Sequence, residues 1–174
     1  MRNGAIFAVA LFLILVQANA YRLLGPAGLH GWTPSAALAL VVFLGVHESS
    51  MARGALLAFV TGHALDLFAS APIGLFTFVY VALWWMARLA GVRLAAQTVP
   101  TQMALAFGFA LAESLFVLVL LVVFGADPQR PVELASIVVP HATSTALVAP
   151  FVFRLVERLQ QSAAAPPRAT EAAQ

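Results

Sequence analysis

The stretch Gly54-Ala-Leu-Leu-Ala-Phe-Val-Thr-Gly62-His-Ala-Leu-Asp66-Leu-Phe-Ala-Ser-Ala-Pro72-Ile-Gly74 decides how the whole chain is read. Gly54, Ala58, Gly62 and Asp66 recur at steps of four, so on a helix three small residues and then a carboxylate lie along one ridge. Such a ridge lets the backbone of a neighbouring helix come close. Asp66 falls in the last turns before Ser70-Ala71-Pro72. There the carbonyl end of its own helix repels a carboxylate, whereas the free N–H groups opening a following helix attract one. Pro72 suits the start of that following helix, and Gly74 lets another backbone come near. The stretch predicts two apolar helices joined by a tight hairpin, with Asp66 accepting hydrogen bonds at the start of the second, a task an amide oxygen could also perform. A proton-relay or ligand role is the other reading, because ionisable groups within apolar helices are functional by default.

Composition extends this reading to the rest of the 174 residues. Hydrophobic side chains make up 62% and charged ones 9%, with a mean hydropathy of +0.95. A soluble domain has roughly 25% charged residues, so these few charges cannot solvate a surface of this size and the bilayer must act as solvent. A soluble enzyme and a nucleic-acid partner are thereby excluded. The basic balance is nine arginines against seven acids, and the arginines lie between apolar blocks instead of clustering. With no cysteine there is no disulfide framework, thiolate metal site or cysteine nucleophile.

Six stretches approach the roughly 20 apolar residues that cross a hydrocarbon core: Gly4 to Ala20, Leu29 to Val46, Gly54 to Ser70, Pro72 to Ala90, Gln102 to Phe124, and Leu134 to Phe153. The expectation is an all-α polytopic membrane protein of six transmembrane helices, a single domain over residues 1–161 followed by a disordered cytoplasmic tail, 162–174. The second stretch is the weakest, because Trp32, Thr33 and Pro34 interrupt it, and five spans are the alternative. With both termini inside, seven arginines (Arg2, Arg53, Arg88, Arg93, Arg154, Arg158 and Arg168) are cytoplasmic against two outside, Arg22 and Arg130. The five-helix arrangement exchanges Arg2 with Arg22 and scores the same, so orientation is fixed from Arg53 onward. Tyr80, Trp84 and Trp85, just before Arg88, read as interfacial aromatics. Ala18-Asn19-Ala20 after the first apolar run also mimics a signal-cleavage site, although a polytopic protein more often keeps its first helix.

Four ionisable residues lie inside the apolar blocks: His63, Asp66, Glu113 and His141. His63 stands one turn before Asp66 and is placed to hydrogen-bond it. Glu113 is twelfth of the 23 residues from Gln102 to Phe124, about as deep as a charge can go. Its helix carries two small-residue stripes, Ala104/Gly108/Ala112 and Ala106/Ala110/Ser114, both suited to close packing. His141 follows Pro140 near the middle of the sixth stretch, so Glu113 and His141 can form a buried polar pair that fixes helix register; a polar path or small-ligand cavity is the alternative. No His/Asp/Glu trio completes a metal shell, and no nucleophile elbow, zinc helix or P-loop occurs, so no catalytic, metal or cofactor residues are assigned.

The Gly54–Gly74 stretch resembles the central motif of the rod shape-determining protein MreD family, in which a small-residue helix leads to G-x-x-L-D-L, a short turn, and a Leu/Ile-Gly opening the next helix. Gln17 ending the first helix, a buried acid in the fifth, and Arg130-Pro131 leading to a sixth helix ending in Arg154-Leu-Val-Glu-Arg158 agree with it. His63 and the Pro140-His141 pair depart from the pattern. The resemblance implies a non-enzymatic, multi-pass inner-membrane protein with a cytoplasmic C-terminus, which works with MreC, the MreB filament, RodA and a penicillin-binding transpeptidase. It implies a fold like that of the six-helix substrate-binding subunits of energy-coupling-factor vitamin transporters. A substrate-binding transporter subunit is therefore the alternative function, although the first helix has Gly4-x-x-x-Ala8 and lacks an Ala-x-x-x-Ala pattern.

The arginine distribution makes a direct prediction about sidedness. Single cysteines at Ala71 and Ala126 are expected to react with a membrane-impermeant thiol reagent in intact spheroplasts, and cysteines at Ala90 and Ser162 are not. Labelling at Ala90 from outside would overturn the orientation.

Overall fold

The computed structural model describes residues 2–24, 30–48, 50–68, 72–89, 98–124 and 130–164. Six α-helices run in order: α1 (Arg2–Leu24), α2 (Ala36–His47), α3 (Met51–Phe68), α4 (Leu75–Leu89), α5 (Val99–Phe124) and α6 (Arg130–Ala164), with a one-turn 3-10 helix, His30–Trp32, ahead of α2. No strand occurs among the described residues. The six helices correspond to the six apolar stretches. α6 continues through Ala164, past the expected start of the tail, and the rest of that tail lies outside the described residues.

The bundle is organised around α2, the stretch that looks weakest in the sequence. Eleven of its 12 residues, Ala36 to Val46, are buried, and it packs against each of the other five helices. A helix that is apolar all round has no face for water and belongs inside a protein or a bilayer. At ~1.5 Å per residue α2 rises only about 18 Å, well short of a ~30 Å hydrocarbon core. Ahead of it the 3-10 turn packs on α6: an added Cβ on Gly31 would sit 3.2 Å from Ile137 and 3.4 Å from Pro140.

Outside this axle the helices pair: α3 runs along α4, and α5 along α6. The α3–α4 pair is set by the small-residue ridge. A Cβ on Gly54 would meet the Trp84 ring at 2.6 Å, and one on Gly62 would lie 2.7 Å from the Phe76 carbonyl and the Thr77 Cα. Gly45 of α2 does the same against Ala87 at 2.7 Å, so α4 is approached closely from two sides. Accordingly α4 turns Leu75, Val79, Tyr80, Leu83, Trp84 and Ala87 inward. Tyr80 and Trp84 are therefore core residues and not interfacial ones; of the three aromatics only Trp85 is exposed. Of the two stripes on α5, Ala106 and Ala110 are buried. The other, Ala104/Gly108/Ala112, lines a shallow groove with Met86, Leu105 and Phe109, and a Cβ on Gly108 would touch nothing within 4 Å.

The perimeter is apolar. Phe7, Phe12, Leu56, Leu67, Phe78, Leu115, Val119 and Phe151 are among many large hydrophobic side chains that face outward. Among the described residues two helices, α5 over Val99–Phe124 and α6 over Ser136–Leu159, are by length and composition long and apolar enough to cross a membrane, with mean hydropathies of 2.5 and 1.5.

The close approaches separate tolerant glycines from intolerant ones. Gly45→Leu and Gly54→Leu are expected to lower unfolding stability in detergent by about 1–3 kcal/mol, the usual range for overpacking, whereas Gly108→Leu is expected to stay near neutral. Equal loss at all three positions in a thermal-shift measurement would contradict this packing.

Candidate functional site: carboxylates at helix starts

Asp66 lies on the same ridge as Gly62, four residues on, and Gly62 is where the backbones of α3 and α4 come together. That crossing delivers the carboxylate into the first turn of α4. Oδ1 accepts the backbone N–H of Phe76 at 2.8 Å, while Oδ2 accepts those of Gly74 at 3.1 Å and Thr77 at 3.0 Å, together with the Thr77 hydroxyl at 2.5 Å. Four donors thus fill both oxygens of a side chain that is 3% exposed. An amide has a single acceptor oxygen, and its NH2 would face an N–H on the other side, so Asn is a poorer substitute than the sequence reading supposes.

The turn itself differs in two details from expectation. α4 begins at Leu75, and Pro72 stands ahead of it, accepting the N–H of Leu75 at 3.2 Å; the helix cannot run back to Pro72 because Gly74 holds φ +95°. That left-handed conformation is what requires glycine there. An added Cβ would meet nothing within 4 Å, so close approach is not the reason. His63 does not reach Asp66. It is exposed and stacks on Phe59, with ring centroids 6.1 Å apart.

Glu113 and His141 are brought together between α5 and α6, Oε2 to Nε2 at 3.5 Å. Around them lies a network that sequence reading did not assemble. His141 Nδ1 is 2.7 Å from the Thr33 carbonyl, and Ser35 donates its N–H to Thr145 Oγ1 at 2.9 Å. The Ser35 hydroxyl lies 3.1 Å from that of Tyr80 and donates to Glu113 Oε1 at 3.4 Å. A carbonyl only accepts, so Nδ1 of His141 carries a hydrogen. Gln17 Oε1 accepts the N–H of Ala37 at 3.4 Å, joining α1 to the start of α2. The signal available in the sequence was Ser35 directly after Pro34, a helix-start pattern with no side-chain cap; its hydroxyl is turned to Glu113 and Tyr80 instead.

A third acid, Glu48, received no role from the sequence. It is buried between α2 and α3, accepts the N–H of Ser50 at 3.2 Å and pairs with Arg53 at 3.4 Å. Arg88 donates to the Glu48 carbonyl at 2.8 Å and lies over the Trp84 ring, 5.9 Å from its centroid. The run Glu48-Ser-Ser ahead of a helix was the clue, since acids and hydroxyls gather at helix starts.

Among the described residues no group of three His, Asp or Glu side chains is placed to hold a metal ion. Hydroxyls within the helices bond back one turn: Thr61 to the Leu57 carbonyl at 2.7 Å, Ser114 to Ala110 at 2.9 Å and Thr143 to Val139 at 2.8 Å. The arrangement is one of polar contacts that position helices, although the buried Trp84 Nε1 has no hydrogen-bond partner among the described residues. No protein-family description, curated protein or solved structure matches the chain.

The network makes Glu113 and His141 interdependent. Glu113→Gln is expected to destabilise less than Glu113→Leu, because an amide still meets Ser35 and His141. In a double-mutant cycle with His141→Leu the coupling is expected near 0.6 kcal/mol, the average for hydrogen bonds within membrane helices. Strictly additive losses in thermal stability would mean that the pair contributes nothing jointly.

Proposed function

We propose that the protein is a non-enzymatic, multi-pass component of the bacterial cell-elongation machinery, an MreD-like scaffold that holds MreC, and through it or RodA the MreB filament and the peptidoglycan synthases, in the inner membrane. The observation that carries this reading is the Asp66 clasp. The residues on which the resemblance rests, Gly62, Asp66 and Gly74, act on backbone geometry: a helix crossing, a helix start and a left-handed turn. Such a motif builds a surface of defined shape and needs no reacting group. The apolar perimeter, the two helices able to cross a bilayer and the arginine distribution support a membrane location with six spans and a cytoplasmic C-terminus. The six-helix bundle is also what a likeness to vitamin-transporter substrate subunits calls for. The interior around Glu113, however, is occupied by mutually bonded side chains, and the groove on α5 is apolar, which favours the scaffold.

The reading is tested by affinity capture of the intact chain from gently solubilised membranes, with cell width measured in parallel. Wild type is expected to bring down MreC and wall synthases. Asp66→Leu, which leaves the N–H groups of α4 unmet, is expected to round the cells and lose that capture, and Asp66→Asn to fall between. Capture of an ATPase-bearing module in place of MreC would overturn the scaffold in favour of the transporter subunit.

A further inference from the structure

The two sides of α3 are unlike. One, with Gly54, Ala58, Gly62 and Asp66, is taken up inside the bundle. The other presents Leu56, Phe59, His63 and Leu67, all exposed and spaced three or four apart, so they form one stripe. His63 interrupts an otherwise apolar surface. Its ring lies nearly parallel to that of Phe59, at 13° with centroids 6.1 Å apart. The ring nitrogens make no hydrogen bond to a described residue, unlike Asp66, Glu113, His141 and the helix hydroxyls.

Hydrocarbon cannot satisfy an imidazole edge. His63 precedes the outer end of α3 by five residues, about 7.5 Å at ~1.5 Å per residue, with Leu67 and Phe68 exposed between. Nor can the side chain reach outward. Helical side chains lean toward the N-terminus of their helix, here the inner side, and the stacking on Phe59 one turn earlier follows that lean.

We propose that this stripe is the docking surface for a single transmembrane helix of another protein, one that sets a carboxylate or carboxamide at the depth of His63. A carboxamide matches the donor and acceptor of a neutral imidazole; a carboxylate matches the two donors of a protonated one. Lipid chains supply neither. A second copy of this chain is a poor occupant, because its carboxylates at Glu48, Asp66 and Glu113 are buried and already engaged, and its helix carboxamides at Gln17, Asn19 and Gln102 have partners within their own chain. The proposal rests on α3 crossing the membrane, as in the reading above, and not on the identity of the cellular machinery.

The test replaces Phe59 or Leu67 of the full chain by the photo-cross-linker p-benzoylphenylalanine in its native membranes, with Val119 on α5 as the control position. Cross-links from both α3 positions to one membrane helix bearing Asp, Glu, Asn or Gln at the matching depth are expected. Their yield should fall several-fold with His63→Leu and persist with His63→Gln at equal abundance. Adducts to lipid alone, to a second copy, to a helix without such a residue, or no adduct at all would overturn the proposal, as would a yield indifferent to His63→Leu. A partner with no tie to wall growth would leave the docking surface standing and count against the elongation role. Capture of MreC without cross-linking at α3 would do the reverse.

Discussion

A carboxylate in an apolar bundle has to be met by donors, and in this protein the donors are found where helices begin. Asp66 closes on the first turn of α4, Glu113 faces Ser35 at the start of α2, and Glu48 meets the start of α3. Helix starts carry unpaired N–H groups and the positive end of the macrodipole, so the Asp66 contact settles two liabilities together, whereas Glu113 is met by the Ser35 hydroxyl. The geometry also fixes where chain breaks fall. Because Asp66 needs Gly74, Phe76 and Thr77 within reach, the start of α4 is held against the end of α3, and Gly62 must let the backbones meet.

These contacts locate the helices and packing holds them. α4 is gripped by α3 through Gly54 and Gly62 and by α2 through Gly45, with Trp84 filling the space between. The Ser35–Tyr80–Glu113–His141–Thr33 network ties α4, α5 and α6 to the segment leading into α2, so the two helix pairs share an anchor at the same end of the axle. Removing one polar partner here strands another in a medium without water, which is why such networks tolerate conservative exchange better than truncation.

Much of this was legible in the sequence because the physics is local. The Gly54–Gly62 ridge and the place of Asp66 follow from a four-residue period and from which end of a helix a carboxylate prefers. Hydropathy marked the six helices. What was not legible depends on three-dimensional company. Leu29 to Val46 looks weak as a span because its true solvent is protein, and a helix enclosed by five others needs no amphipathic pattern. Tyr80 and Trp84 sit where membrane-interface aromatics sit, and only the direction in which α4 faces shows that they are core. Ser35 and Glu48 lie in short linkers, where a polar residue carries no period to betray its partner. His63 was matched to Asp66 by spacing, although the carboxylate finds its four donors on Gly74, Phe76 and Thr77.

The enclosure of α2 bears on how the protein is made. A 12-residue helix of about 18 Å cannot rest stably across a bilayer alone, and the residues that lead into it bond to later parts of the chain: the Ser35 N–H to Thr145, the Ser35 hydroxyl to Tyr80 and Glu113, and the Thr33 carbonyl to His141. Those partners are synthesised later. The second segment therefore leaves the ribosome before the helices that enclose it, and its packing is completed only after α4, α5 and α6 have been made.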